Sequence, residues 1–175
     1  MYGPSGSMVW NSPTIDHTRN QLFIGTGENM SSPADHSSDA IFAIDLTTGK
    51  VNWIYQALAN DAWNTACGTN TPQSCPEEDG PDFDFGAGTL MVKTDSGRQL
   101  VVAGQKSGIV HALEPKTGKL VWKNRVGRGG IQGGVHFGMA AGDGKIYVPI
   151  SDGPDGREYD TPDRPGLHAL NADTG

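Results

Sequence analysis

Ala43-Ile44-Asp45-Leu46-Thr47-Thr48-Gly49-Lys50-Val51-Asn52-Trp53 decides how this chain is read, because it recurs. Ala112-Leu113-Glu114-Pro115-Lys116-Thr117-Gly118-Lys119-Leu120-Val121-Trp122 repeats its pattern, and Ala169-Leu170-Asn171-Ala172-Asp173-Thr174-Gly175 opens a third copy. Repetition at a wide spacing implies a serial architecture, in which each unit buries its faces against its neighbours. The expected fold is all-β, with each copy at one blade of a propeller.

The chemistry of one copy supports this. Ile41–Asp45 and Val110–Leu113 mix β-branched and apolar residues, as a buried strand does. Thr-Gly then makes a turn, because glycine accepts the positive φ that hairpin turns often need. Val51-Asn52-Trp53 and Leu120-Val121-Trp122 resume the two-residue alternation and send each Trp to one face of the sheet. A large flat ring at the same place in each repeat is expected to pack between neighbouring blades.

Working outward, strands are predicted near Met8–Asp16, Gln21–Gly25, Ala40–Asp45, Val51–Gln56, Gly86–Val92 and Gln99–Gly104. Ile109–Leu113, Leu120–Val126, His136–Ala141, Lys145–Ile150 and Gly166–Leu170 follow. The 25 glycines and 11 prolines suit short strands joined by turns. A net charge of -7 with 19% charged residues argues against a nucleic-acid partner. No apolar run is long enough to span a membrane. Met1-Tyr2-Gly3-Pro4-Ser5-Gly6 lacks the basic start and apolar core of a signal peptide. The 175 residues are expected to be a fragment of a single propeller domain, holding about three blades.

Between the first two repeats lies a long loop, residues 57–85, carrying Asp61, Trp63, Asp82, Phe83, Asp84 and Phe85. Long loops inside compact repeats are commonly functional, and this content disfavours disorder. Cys67 and Cys75 close a turn-rich stretch within it. A disulfide is favoured over free thiols or a zinc site, and it implies an oxidising compartment such as a periplasm. No Cys-x-x-Cys-His occurs, so no c-type haem is attached within these residues.

With these motifs in hand, the chain resembles the pyrroloquinoline quinone (PQQ)-dependent alcohol dehydrogenases, whose catalytic domain is an eight-bladed propeller with a tryptophan-docking repeat. Trp10-Asn11-Ser12-Pro13-Thr14-Ile15-Asp16 through Phe23-Ile24-Gly25-Thr26-Gly27-Glu28-Asn29 resembles their Trp…Gly-Thr-Gly-Asn segment. Asp61-Ala62-Trp63-Asn64, the paired cysteines and Gly80-Pro81-Asp82-Phe83-Asp84-Phe85-Gly86 are similar to the polyvinyl alcohol dehydrogenase branch. So are Val102-Ala103-Gly104-Gln105-Lys106-Ser107-Gly108 and Val126-Gly127-Arg128-Gly129-Gly130.

The resemblance implies PQQ and calcium as cofactors, an alcohol as substrate and a cytochrome c as electron acceptor. Trp10 is implied as the indole on which the quinone lies. Glu28 or Asn29 is implied as an oxygen ligand of calcium, which acts as a Lewis acid. Lys106 is implied as the cation facing the quinone oxygens. Arg128 either pairs with a carboxylate or lies solvated in a glycine-rich loop.

Asn64 stands where the resemblance to the methanol and ethanol dehydrogenases implies an Asp as catalytic base, and an amide cannot take a proton. Asp61, Asp82 and Asp84 are the replacement candidates. Alternation is expected to put Asp82 and Asp84 on one face, with Phe83 and Phe85 on the other. His136 is a further candidate, with a structural role weighed above it. The expected activity is oxidation of secondary alcohol groups to ketones. The competing expectation is a non-catalytic propeller scaffold, which would keep the repeats without needing Trp10, Glu28, Lys106 and the loop acids together.

Overall fold

A computed structural model describes residues 5–69 and 72–175. The first residues of the Met1–Gly6 stretch, and residues 70 and 71 of the cysteine loop, lie outside that description. The described residues form three antiparallel sheets. The first runs β1 (Thr14–Asp16), β2 (Gln21–Gly25), β3 (Ala40–Asp45) and β4 (Val51–Gln56) in simple meander order. The second repeats that order with β5 (Leu90–Lys93), β6 (Gln99–Gly104), β7 (Ile109–Leu113) and β8 (Leu120–Arg125). The third pairs β9 (Ala140–Gly142), β10 (Lys145–Ile150) and β11 (Gly166–Asn171). Two short 3-10 turns, Thr65–Gly68 and Pro72–Ser74, interrupt the long loop.

The repeat is also visible in the irregularities. The β3/β4 register shifts between Ala43 and Ile44, and the β7/β8 register shifts between Ala112 and Leu113. These are equivalent positions of the motif. Strand β6 shows why the sheets stack. Val101 and Ala103 join Phe23, Ile41, Ala43 and Phe85 in one buried cluster, while Leu100 and Val102 join Ile146, Val148 and Ile150 in another. Buried on both faces, this strand reads as a continuous apolar run, and the two clusters bind sheet to sheet.

The tryptophans dock as expected. Trp53 Nε1 donates to the Pro115 carbonyl at 3.0 Å, and Trp122 Nε1 donates to the Ala172 carbonyl at 3.1 Å. Each ring lies on the turn glycine of the next repeat: a Cβ on Gly118 would meet Trp53 at 2.5 Å, and one on Gly175 would meet Trp122 at 2.7 Å. Both glycines have positive φ, +70° and +79°. The acid or amide of the motif caps its own turn. Asp45 Oδ1 accepts from the Thr47 and Thr48 amides, and Asn171 Oδ1 accepts from those of Asp173 and Thr174.

Three strands start later than the sequence predicts: β1 at Thr14 rather than Met8, β5 at Leu90 rather than Gly86, and β9 at Ala140 rather than His136. The cause is shared. Asn11 spends its side-chain amide on the Gly25 and Phe85 carbonyls, and Gly86 and Gly88 lie tight against Trp10 and Ser12. These segments pack against one another at one end of the sheets instead of extending ladders. Among the described residues, no helix is long and apolar enough to cross a membrane.

Candidate active site

The segments that precede β1 and β5 meet the exits of β2 and β6 at a buried polar centre. Gly25-Thr26-Gly27 carries the chain out of β2 to Glu28, and Gly104-Gln105 carries it out of β6 to Lys106. Between them runs the last stretch of the 57–85 loop. Lys106 Nζ lies 2.8 Å from Asp82 Oδ1 and 2.8 Å from Asp84 Oδ2. Asp84 Oδ1 accepts the Glu28 amide at 3.0 Å, and Asp84 Oδ2 accepts the Trp10 indole N–H at 3.2 Å. Oxygens of Glu28, Asp82 and Asp84 all lie within 4.8 Å of one another. Gly27 leaves room for this arrangement, because a Cβ there would collide with the Asp84 carboxylate.

Burial dominates the electrostatics. Glu28 is pushed up to about 9, first by burial and then by its hydrogen bond to Asp84. Asp82 is pushed up to about 7 by burial and the Asp84 charge, against the opposing pull of Lys106. Burial would raise Asp84 as well, but the Glu28 hydrogen bond and the Lys106 charge outweigh it and hold its carboxyl below the usual range. Burial would lower Lys106, yet the two aspartates keep it above the ordinary lysine value. The centre is therefore a cation held between two carboxylates, with the Glu28 carboxyl beside them. Glu28 Oε2 is buried and has no hydrogen-bond partner among the described residues.

Trp10 is 38% exposed, and the Lys106 ammonium stands 5.6 Å from its ring centroid. One flat aromatic surface thus borders the cation and the Asp84 carboxylate at once.

Comparison with known proteins gives this geometry a context. A family described as outer membrane protein assembly factor BamB matches residues 106–175, the part that carries repeats but only the edge of the centre. Polyvinylalcohol dehydrogenase of Sphingopyxis sp. (strain 113P3) is 37% identical over 100% of this chain and 27% of its own length. Polyvinylalcohol dehydrogenase of a Pseudomonas species is 42% identical over 87% of this chain and 24% of its own. The chain belongs to the quinoprotein alcohol dehydrogenase family. It spans about a quarter of the length of those relatives, 27% and 24%. The quinohemoprotein alcohol dehydrogenase ADHIIG of Pseudomonas putida HK5 superposes with a TM-score of 0.61 at 18% identity, covering 83% of this chain and 26% of that one. That likeness establishes the fold as a section of a quinoprotein β-propeller.

Against this quinoprotein frame, the residues singled out from sequence divide. Trp10, Glu28, Asp82, Asp84 and Lys106 come together. Asn29 does not join them: its Oδ1 accepts the Asp35 amide at 2.8 Å, and its backbone pairs with Asp61 and Trp63. Asp61 lies behind the centre, fully buried, accepting the amides of Asp82 at 3.4 Å and Phe83 at 3.0 Å. Asn64 caps the first 3-10 turn through Ala66 and donates to the Met30 and Ser74 carbonyls.

Arg128 sits elsewhere, stacked 4.5 Å from the Tyr159 ring and bonded to the Gly153 carbonyl. His136 packs beside Trp10, ring centroids 5.8 Å apart, with Nδ1 unpartnered among the described residues. Cys67 and Cys75 form a disulfide with Cα atoms 4.7 Å apart.

One expectation needs correction. Asp82 and Asp84 do converge, but not by strand alternation, because Asp82 has φ +61° and breaks the extended run. The two amide bonds into Asp61 impose that kink. Two contributors escaped the sequence reading altogether. Asp39 is a fully buried acid facing Asp61. Arg157, from the third sheet's loop, donates to the Pro81 carbonyl at 2.8 Å and lies 6.0 Å from the Trp63 ring. The only available signal for Asp39 is an acid placed directly before the apolar run Ala40–Ile44.

Proposed function

We propose that this chain supplies part of the active site of a PQQ- and calcium-dependent alcohol dehydrogenase acting on secondary hydroxyls of the polyvinyl alcohol type. The observation that carries the proposal is Lys106 clamped between Asp82 and Asp84 beside Glu28 and the open face of Trp10. A non-catalytic scaffold built from the same repeats has no use for a buried lysine–carboxylate centre.

The residues fit the cofactors. Three buried carboxylates with oxygens within 4.8 Å, one of them carrying an unpartnered oxygen, suit a hard divalent cation. Trp10 offers a stacking surface for a flat quinone, and Lys106 a positive charge at its edge. When bound, PQQ supplies the acceptor for the hydride leaving the carbinol carbon, and calcium polarises its carbonyl.

The chain's own residues do the rest. Asp84, kept ionised by Lys106 and Glu28, takes the hydroxyl proton at Oδ2. Lys106 balances the negative charge that develops as electrons arrive. Glu28 and Asp82 hold the cation, and Asp61 holds the loop that presents both aspartates. The 57–85 loop is thus an active-site loop, stapled by the disulfide. That disulfide supports an oxidising compartment, in our reading the periplasm, where a cytochrome c collects the electrons.

The test uses the full-length protein with PQQ and calcium, measuring alcohol-dependent dye reduction. Asp84→Asn is expected to lower kcat about 10²–10⁴-fold, the range for loss of a general base. No turnover on primary, secondary or polymeric alcohols, together with no retained PQQ absorbance, would sink the reading. An unimpaired Asp84→Asn would remove Asp84 from the base role.

A further inference from the structure

The glycine-rich loop at residues 127–134 places no side chain in the centre, yet it lies against the backbone of Lys106. The Lys106 carbonyl accepts the Gly130 amide at 3.1 Å, and the Gln105 carbonyl before it accepts the Val135 amide at 3.1 Å. A Cβ on Gly134 would collide with the Lys106 carbonyl. On its other side, the Lys106 amide donates to the Asp84 carbonyl at 2.9 Å. Lys106 is thus gripped between the active-site loop and the glycine loop, with its ammonium on Asp82 and Asp84.

Five of the eight residues 127–134 are glycine, so this loop has little conformational preference of its own. Its shape is imposed from the third sheet. Asp152, two residues beyond β10, is 3% exposed and gathers four backbone amides. Its Oδ1 accepts those of Gly129 at 3.0 Å and Gly134 at 2.9 Å. Its Oδ2 accepts those of Arg128 at 2.7 Å and Arg164 at 2.9 Å. Asp155 adds a bond to the Ile131 amide, and the Ser151 hydroxyl one to the Gln132 carbonyl. The side chain that holds both Gly129 and Gly134, on either side of the Gly130 amide, is Asp152. A carboxylate makes stronger bonds to amides than a neutral acceptor does.

We propose that Asp152 is a positioning residue for Lys106: its carboxylate folds the glycine loop onto the Lys106 carbonyl and so aims the ammonium at Asp82 and Asp84. Through this carboxylate the third sheet sets where the Lys106 ammonium stands. The inference rests on the catalytic reading of Lys106 for its significance, but the following comparison does not.

Hydrogen–deuterium exchange is followed in the metal-free, cofactor-free full-length protein, in peptides spanning residues 104–110 and 145–150. Asp152 has φ +38°, which glycine and asparagine both tolerate. Asp152→Gly removes both acceptor oxygens, and Asp152→Asn keeps one. Exchange at 104–110 is expected to rise about tenfold in the glycine variant and about threefold in the asparagine variant, with 145–150 within about twofold of wild type. Unchanged exchange at 104–110, or an equal rise in both peptides, overturns the proposal. Should Asp152→Gly not fold, Asp152→Asn decides alone by the same two peptides.

In the protein loaded with PQQ and calcium, Asp152→Asn is expected to lower kcat per bound PQQ about fivefold, with the alcohol KM within about twofold of wild type. Lys106 answers the arrival of electrons, and a general loosening of the fold would not confine its effect to kcat. An unchanged kcat, or a loss carried by KM alone, overturns the positioning role. If wild type binds neither PQQ nor calcium, the catalytic reading fails, while the exchange comparison still decides whether Asp152 holds Lys106.

Discussion

The two ends of the same strands obey different rules. At the turn end, the docking motif satisfies the polar groups it brings. Asp45 and Asn171 cap their own turns, and each Trp finds a carbonyl on the next repeat. At the other end, carboxylates are buried against one another, Glu28 and Asp39 keep oxygens without a hydrogen-bond partner among the described residues, and Asp82 takes a left-handed backbone. Local rules met at one end and broken at the other are what a scaffold carrying a site should look like. The turn end builds the propeller, and the far end stores electrostatic repulsion that a bound cation would relieve.

The strongest way to break this contrast is to remove the ammonium of Lys106. Lys106→Met leaves Asp82 and Asp84 buried without a counter-charge. Losing one partner of a buried ion pair typically costs about 3–5 kcal/mol. Denaturant unfolding of the full-length protein should show a loss of that size, with turnover abolished. A variant of near-native stability would mean that the acids are not held as ions.

Titration probes the same end. Glu28, Asp82 and Asp39 are raised to about 9, 7 and 11 in the folded chain. A raised carboxyl binds protons that the unfolded chain has released, so its contribution is complete below the unfolded value of about 4 and is lost as pH rises through the folded value. Asp84 is lowered and works oppositely, losing its contribution only as the solution becomes acidic. The metal-free protein is therefore expected to lose Tm steadily between about pH 5 and pH 9, each raised group contributing up to about 1.4 kcal/mol per pH unit. Calcium should restore Tm most at the alkaline end. A Tm that climbs from pH 5 to pH 9 without metal would contradict this charge arrangement.

How much of this was legible follows the same division. The docking end could be read from Ala43–Trp53 alone, because turn, strand and ring packing are all local consequences of that pattern. The members of the centre were also visible individually: Trp10, Glu28, Asp82, Asp84 and Lys106 each stand in a short motif. Their arrangement was not. Asp61 and Asn64 lie on one short stretch of loop, yet the first is a backbone anchor and the second a cap. Asp39 was silent because only tertiary folding brings the start of β3 against the loop. Strand starts at Met8, Gly86 and His136 were overestimated because alternation cannot reveal that these segments pack across one another.

At the docking end, Gly118→Ala sharpens the comparison with a smaller effect. The new Cβ would meet Trp53 Cε3 at 2.5 Å and would also sit at φ +70°. Overpacking typically costs about 1–3 kcal/mol. Thermal unfolding should detect the loss, while kcat in the surviving folded enzyme stays near wild type. A large fall in kcat at unchanged stability would mean that the two ends are coupled.

The smallest effect belongs to Asn64, the residue whose identity counts most against a catalytic reading of the sequence. Its Nδ2 donates to the Met30 carbonyl at 3.0 Å and to the Ser74 carbonyl at 2.9 Å, while its Oδ1 accepts the Ala66 amide at 2.9 Å. A carboxylate in its place would keep the acceptor and turn both donor contacts into repulsion between oxygens. Because these contacts are exposed, water can replace them, and Asn64→Asp is expected to cost only about 1 kcal/mol. A carboxylate at position 64 should then leave turnover within about twofold of wild type, since the loss of these two exposed bonds changes little at Asp84. Steady-state dye reduction by the variant decides this. A marked gain in kcat would mean that position 64 reaches the substrate after all, and that the carboxylates around Lys106 serve the cofactor without serving as the base.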